Sequence, residues 1–172
     1  MRGFRGFTLI ELIVTIGILG ILMAAAAPSM RDMILNNRMS GLANDLMSDL
    51  AAARSEATKR GQRIVICKNA TGGGADTSCG AGSWKDGWLL YLDANSNTLL
   101  DGGETIVRVR QALPTEITVT PTTIADFVIV RPVGSVTPLG NFKICDQRSG
   151  NFGRRVTVSA SGRASVAVAS CP

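Results

Sequence analysis

The sequence predicts an α+β chain: a long N-terminal helix, half membrane-spanning and half amphipathic, packed on an antiparallel β-sheet domain. Three observations carry this expectation. Residues 7–27 form an almost unbroken apolar run. Residues 28–61 repeat apolar side chains at helical spacing. From 62 to 172 the pattern changes to short alternating runs separated by turn residues.

Composition excludes much of enzymology. The 172 residues suffice for one domain with a real core after a membrane segment is set aside. Histidine is absent, which removes Ser-His-Asp and Cys-His nucleophilic sites and zinc sites that need imidazole. No GxxxxGK[ST] loop is present, and the Gly-rich stretch 71–76 lacks the strand and helix flanks of a phosphate loop. The net charge of +5 is a mild basic balance, not a nucleic-acid signature.

The apolar run from Phe7 to Ala27 is 21 residues long and Glu11 is its only charge. At about 1.5 Å per residue, a helix of this length spans roughly 30 Å of hydrocarbon. A carboxylate at the centre of such a helix costs about 2.5–3.5 kcal/mol, so Glu11 needs a partner or a favourable position. Arg2 and Arg5 precede the run and no basic residue follows until Arg31, which predicts a cytoplasmic N-terminus with the bulk of the chain across the membrane. The rival is a secretory signal peptide cut near the alanines at 24–27. Against it stand a run longer than the usual core of about 7–15 residues, Pro28 directly after the alanines, and a glutamate with no role in a removable signal. Gly17 and Gly20 weaken the helix, and Pro28 has no N–H for the Ala24 carbonyl, so a kink or local unwinding is expected at 24–28.

The heptapeptide "GFTLIEL" at 6–12, after a short basic leader, resembles the class III signal of type IV pilins and type II secretion pseudopilins. The resemblance implies a leader, 1–6, cut between Gly6 and Phe7 by a prepilin peptidase, and N-methylation of Phe7. It implies that Glu11 pairs with the N-terminal amine of a neighbouring subunit during assembly, and a buried charged pair is best attested as a device that fixes register. It also implies a single-pass inner-membrane protein with a periplasmic domain that later enters an extracellular fibre. Its partners would be other pilin subunits and the pilus assembly machinery.

In 28–61 apolar residues recur at Leu35, Met39, Leu42, Leu46, Leu50, Ala53 and Ala57, one face of an amphipathic helix. Arg38, Asn44, Asp45, Asp49, Arg54 and Lys59 are assigned to the opposite, polar face, and Gly61 is the expected stop. Strands are expected at 63–67, 87–92, 105–111, 116–120, 126–131, 141–145, 154–160 and 164–169, the last two joined by a hairpin turn. This order resembles minor pilins of the FimT and FimU type and the pseudopilin GspH. The resemblance implies a structural fibre subunit in a type IV pilus, in its initiating or tip complex, or alternatively in a type II secretion pseudopilus.

Cys67, Cys79, Cys145 and Cys171 include no CxxC pair and fit two disulfides in an oxidising compartment. Four cysteines allow three pairings; the sequential one, Cys67–Cys79 and Cys145–Cys171, is favoured over other connectivities or free thiols. It would close a short Gly-rich loop and pin the C-terminal segment.

Two further stretches invite a binding role. Asp93, Asn95, Asn97, Asp101 and Glu104 match positions 1, 3, 5, 9 and 12 of an EF-hand calcium loop, with the Leu99 carbonyl at 7. Thr98 stands where that loop needs glycine and the flanks read as strands, so a solvated hairpin loop is the competing expectation. Lys143, Arg148, Arg154, Arg155 and Arg163 accumulate against Asp146 alone. Some FimT-type pilins bind DNA through a Gly-Arg-x-Arg motif. Here Val156 and Ser165 replace the second arginine in "GRRV" and "GRAS", so DNA contact through Arg154, Arg155 and Arg163 competes with a solvated basic face. No aromatic stacking platform accompanies it.

Overall fold

The computed structural model describes residues 6–69, 79–80 and 82–172. The basic leader residues Arg2 and Arg5 and the Gly-rich stretch 71–76 lie outside the described residues. Helix α1 runs unbroken over Leu9–Arg60, 52 residues with Pro28 inside it. The local unwinding expected at 24–28 is therefore not present. The missing Pro28 N–H removes one bond from a ladder that is continuous on both sides. Lys59 and Arg60 occupy the last turn, where the helix dipole favours cations. Gly61 follows at φ +64°, the left-handed position that ends helices.

The chain divides into two compact units, one ending at Arg38 and the other comprising Met39–Pro172. The described part of the first is helical from Leu9 and exposes its large apolar side chains from Phe7 to Ile34.

The second unit contains the rest of α1 and nine strands: β1 (Arg63–Lys68), β2 (Trp88–Asp93), β3 (Ile106–Arg110), β4 (Thr118–Thr122), β5 (Phe127–Val130), β6 (Val136–Thr137), β7 (Gly140–Cys145), β8 (Gly150–Val158) and β9 (Ala164–Cys171). One sheet was expected and two form, in the orders β3-β2-β1-β5-β6 and β4-β7-β8-β9, with antiparallel neighbours throughout. All eight expected strands are present within a few residues of their expected ends. The two-residue β6 is too short to leave an alternating pattern.

Met39, Ala43, Leu46, Leu50, Ala53 and Ala57 form the buried face of α1. They pack with Ile64 and Ile66 of β1, Trp88 and Leu90 of β2, Val128 and Val130 of β5, and the inward faces of β7 and β8. Ala43 is fully buried while the expected Leu42 is only partly so, because the small residue lies closer to the centre of the contact face. Period-2 alternation sends Phe142 and Ile144 of β7 and Val156 and Val158 of β8 to this same core. Val65, Cys67, Leu89 and Tyr91 point to the other face of the five-stranded sheet and form a second, smaller cluster.

Candidate functional site

The exposed apolar helix begins with a local solution to the Glu11 problem. Thr8 precedes the first helical residue, and the Glu11 N–H donates to Thr8 Oγ1 at 3.3 Å. Glu11 therefore occupies the third position of the helix, within the turn whose unpaired N–H groups favour a carboxylate by about 0.3–1 kcal/mol. The pattern T-L-I-E has the spacing of a capping box, and this bond is the half of it made by the Thr8 side chain. Gly6 and Phe7 lie just before this cap and are exposed; Gly17 and Gly20 are exposed inside the helix.

A second polar centre lies within the sheet-bearing unit. Asp49, assigned to the polar face of α1, is instead completely buried. Its carboxylate accepts from Trp88 Nε1 at 2.9 Å, Arg108 Nη1 at 2.6 Å and Arg110 Nε at 2.7 Å. Arg110 also reaches Asp45 at 3.3 Å. The Asp49 hydrogen bond raises the Arg110 guanidinium pKa above its ordinary value, against a smaller effect of burial. A buried charge persists only when its lone pairs are filled, and here three donors from two strands fill them. The available signal was Arg108 and Arg110 two residues apart on a strand, presenting two cations on one face.

The two disulfides are Cys67–Cys79, with Cα atoms 5.6 Å apart, and Cys145–Cys171, at 5.8 Å. The second joins β7 to the end of β9 across β8, where Gly153 gives it room: a Cβ there would lie 2.5 Å from Cys171 Sγ.

The acidic loop connects β2 to β3, which pair antiparallel. Asp93 pairs with Arg63 at 2.5 Å and accepts from the N–H groups of Asn97 and Thr98. Asp101 accepts from the side-chain amides of Asn95 and Asn97, both at 2.7 Å, and these two bonds hold its pKa below the ordinary carboxylate range. Glu104 accepts from the N–H groups of Ala94 and Asp101. The five polar side chains are thus joined to one another and to their own backbone. Among the described residues no group of three or more carboxylates or thiolates is placed to hold a metal ion.

The basic residues do not collect on one face. Arg154 turns toward the helix and donates to Ser40 Oγ at 3.2 Å. Arg155 is its neighbour on the strand and so points to the opposite face, directly across from Lys143. Arg163 lies in the β8–β9 turn. Arg148 is bound to Asp146 at 2.7 Å and stacks over Phe152, 4.3 Å from the ring centroid. Burial acts to raise the Asp146 carboxyl, but hydrogen bonds from Arg148 hold it below the ordinary range. The expected cluster is dispersed by strand alternation.

Residues 42–162 match the family model described as type II transport protein GspH. This chain belongs to the GspH family. Residues 1–27 of this GspH-family chain also match the prokaryotic N-terminal methylation motif. The pilin-like protein PilA1 of Thermus thermophilus is 32% identical over 102 residues, 58% of the GspH-family chain and 55% of PilA1, so the chain spans about half the length of that relative. The type IV minor pilin FimU of Pseudomonas aeruginosa has the same fold in two crystal forms. In one it is 18% identical with a TM-score of 0.57, covering 79% of this chain and 96% of FimU. In the other it is 19% identical with a TM-score of 0.52, covering 77% and 99%. GspH-family and pilin proteins are structural and non-enzymatic. The apolar helix and the methylation motif mark this GspH-family chain as a membrane-anchored pilin-like protein.

Proposed function

We propose that this chain is a minor pilin that is cut between Gly6 and Phe7, methylated at Phe7 and incorporated in a type IV pilus, within its initiating or tip complex. The observation that carries this reading is the apolar surface of α1, exposed from Phe7 to Met23 and bearing one carboxylate, Glu11, in its first turn. Such a surface is covered by lipid before assembly and by like helices afterwards. A neighbouring subunit's N-terminal amine is the cation that would pair with Glu11 when two helices pack side by side. A soluble domain has no use for this surface.

The competing reading is a type II secretion pseudopilus subunit, supported by the description of the matching family. Intact mass and N-terminal sequencing of protein from the native host test the shared premise. A chain beginning at N-methylated Phe7 is expected; a chain beginning near Ala27 or Pro28 would overturn both readings. Deleting the gene and scoring piliation against protein secretion separates the two: loss of secretion with normal pili would overturn the pilus assignment.

A further inference from the structure

We infer that the groove between α1 and the β8–β9 hairpin, open along the edge of β9, receives an extended segment of a different subunit that carries both apolar side chains and carboxylates on its groove-facing side. The inference rests on the reading of the chain as a fibre subunit. The groove has a volume of about 640 Å³ and an apolar floor of Met47, Ala51 and Ala164. Further along β9, Val166 and Val168 sit opposite Val156 and Arg154 and so share the helix-facing side of the sheet. Val168 is 60% exposed there.

Strand β9 is a terminal strand of its sheet, paired with β8 on one side only among the described residues. Exposed edges are normally guarded by proline, charge or brevity. The opposite edge of the same sheet, β4, contains Pro121, and the edge strand β3 carries Arg108 and Arg110. Eight-residue β9, "ASVAVASC", has neither charge nor proline. An unguarded edge beside an apolar groove is the geometry that accepts an added strand.

Charge identifies the kind of segment. Arg54 and Arg163 line the same groove, and neither guanidinium has a carboxylate partner among the described residues. Arg54 is held in place by two turns that lack side chains: a Cβ on Gly134 would lie 2.8 Å from Arg54 Nε, and one on Gly162 would lie 3.3 Å from Arg54 Cδ. A positioned, unpaired cation calls for an anionic partner. A second copy seated symmetrically would oppose arginine to arginine, which disfavours self-association.

The test uses the full chain in detergent micelles and a synthetic peptide of about eight residues, the reach of one strand, with Val and Glu taking turns at every second position and Ser between them. The peptide is expected to slow hydrogen exchange at β9, to bind more weakly at high salt, and to lose roughly threefold in affinity with Arg54→Ala or Arg163→Ala. Val168→Lys, at an exposed position, is expected to weaken it further with thermal unfolding unchanged. Should Arg54→Ala destabilise the fold, Arg163→Ala alone decides the electrostatic claim. Equal binding of a Val-Lys peptide, or binding that leaves β9 exchange unchanged, would overturn the inference. Concentration-dependent protection of β9 without peptide would also overturn it, by making a second copy the occupant. N-terminal processing is read separately by mass, so this inference and the fibre reading fail independently.

Discussion

Trp88 Nε1 donates to Asp49 Oδ2 across 2.9 Å, joining the indole of a central strand to a fully buried carboxylate on α1. Asp49→Ala removes the acceptor and leaves the indole N–H and two guanidiniums to find other partners. Because Arg108 and Arg110 are 41% and 31% exposed, water recovers part of their loss. The expected cost is about 2–3 kcal/mol, read as a lower urea midpoint with unchanged slope. A loss below half a kilocalorie would remove Asp49 from the interactions that hold the helix to the sheet.

Thr98 adopts φ +64° in the β2–β3 loop, a conformation that costs a β-branched residue about 1–2 kcal/mol. Glycine tolerates it but has more backbone freedom to lose. Thr98→Gly is therefore expected to raise stability by ~0.5–1 kcal/mol, measured by thermal unfolding. Destabilisation would show that the Thr98 hydroxyl bond to the Asn97 carbonyl outweighs the backbone strain.

Asp101 and Asp146 both have depressed pKa values, through Asn95 and Asn97 in one case and through Arg148 acting against burial in the other. A depressed carboxylate contributes stability above its unfolded pKa and loses it as the pH falls through the folded pKa. Both contributions are therefore present at neutral pH and fade below the ordinary carboxylate range. Asp146→Asn should make the acid limb of a stability–pH profile shallower without a comparable change in slope at neutral pH. An unchanged acid limb would remove Asp146 from the groups that control it.

The Cys145–Cys171 disulfide spans 26 residues, for which chain entropy predicts about 3–4 kcal/mol. Replacing both cysteines by serine should lower the urea midpoint and accelerate hydrogen exchange in β9 before the rest of the four-stranded sheet. Gly153→Ala should disturb the same corner, since its Cβ meets Cys171 Sγ and the carbonyls of Ala169 and Ile144. Uniform acceleration across both sheets would mean that the disulfide acts on the whole unit instead.

Glu11→Gln retains the shape and polarity of the side chain and removes its charge. The sheet-bearing unit should unfold at the same temperature, while the fraction of subunits recovered in sheared fibres falls severalfold. Normal incorporation would show that the Thr8 cap, not pairing between subunits, accounts for a carboxylate in the apolar run.

Legibility in the sequence followed periodicity. The face from Met39 to Ala57 and the strands around Val128, Phe142 and Val156 were readable because apolar residues recur at 3.6 or at 2. Periodicity is silent where a polar residue is buried. Asp49 lies at helical spacing from other polar residues, and only the guanidiniums and indole waiting on β2 and β3 explain its place. It also could not assign strands to two sheets, since that depends on which edges meet after the chain turns. The basic stretch near residue 154 was not resolved by spacing for a related reason: adjacent residues on a strand face opposite ways, so Arg154 and Arg155 part company despite their closeness in sequence. The acidic loop shows that a spacing suited to a cation also suits a loop that hydrogen-bonds to itself.

The Asp49 cluster has a mechanical consequence. Sliding the 39–60 segment of α1 by one turn, about 5.4 Å along its axis, would carry the carboxylate away from all three donors at once. The same displacement would lift Leu46 and Leu50 from their neighbours together. A pull along this axis therefore loads the ion pairs and the apolar contacts in parallel, as shear, whereas a sideways pull would open them one after another.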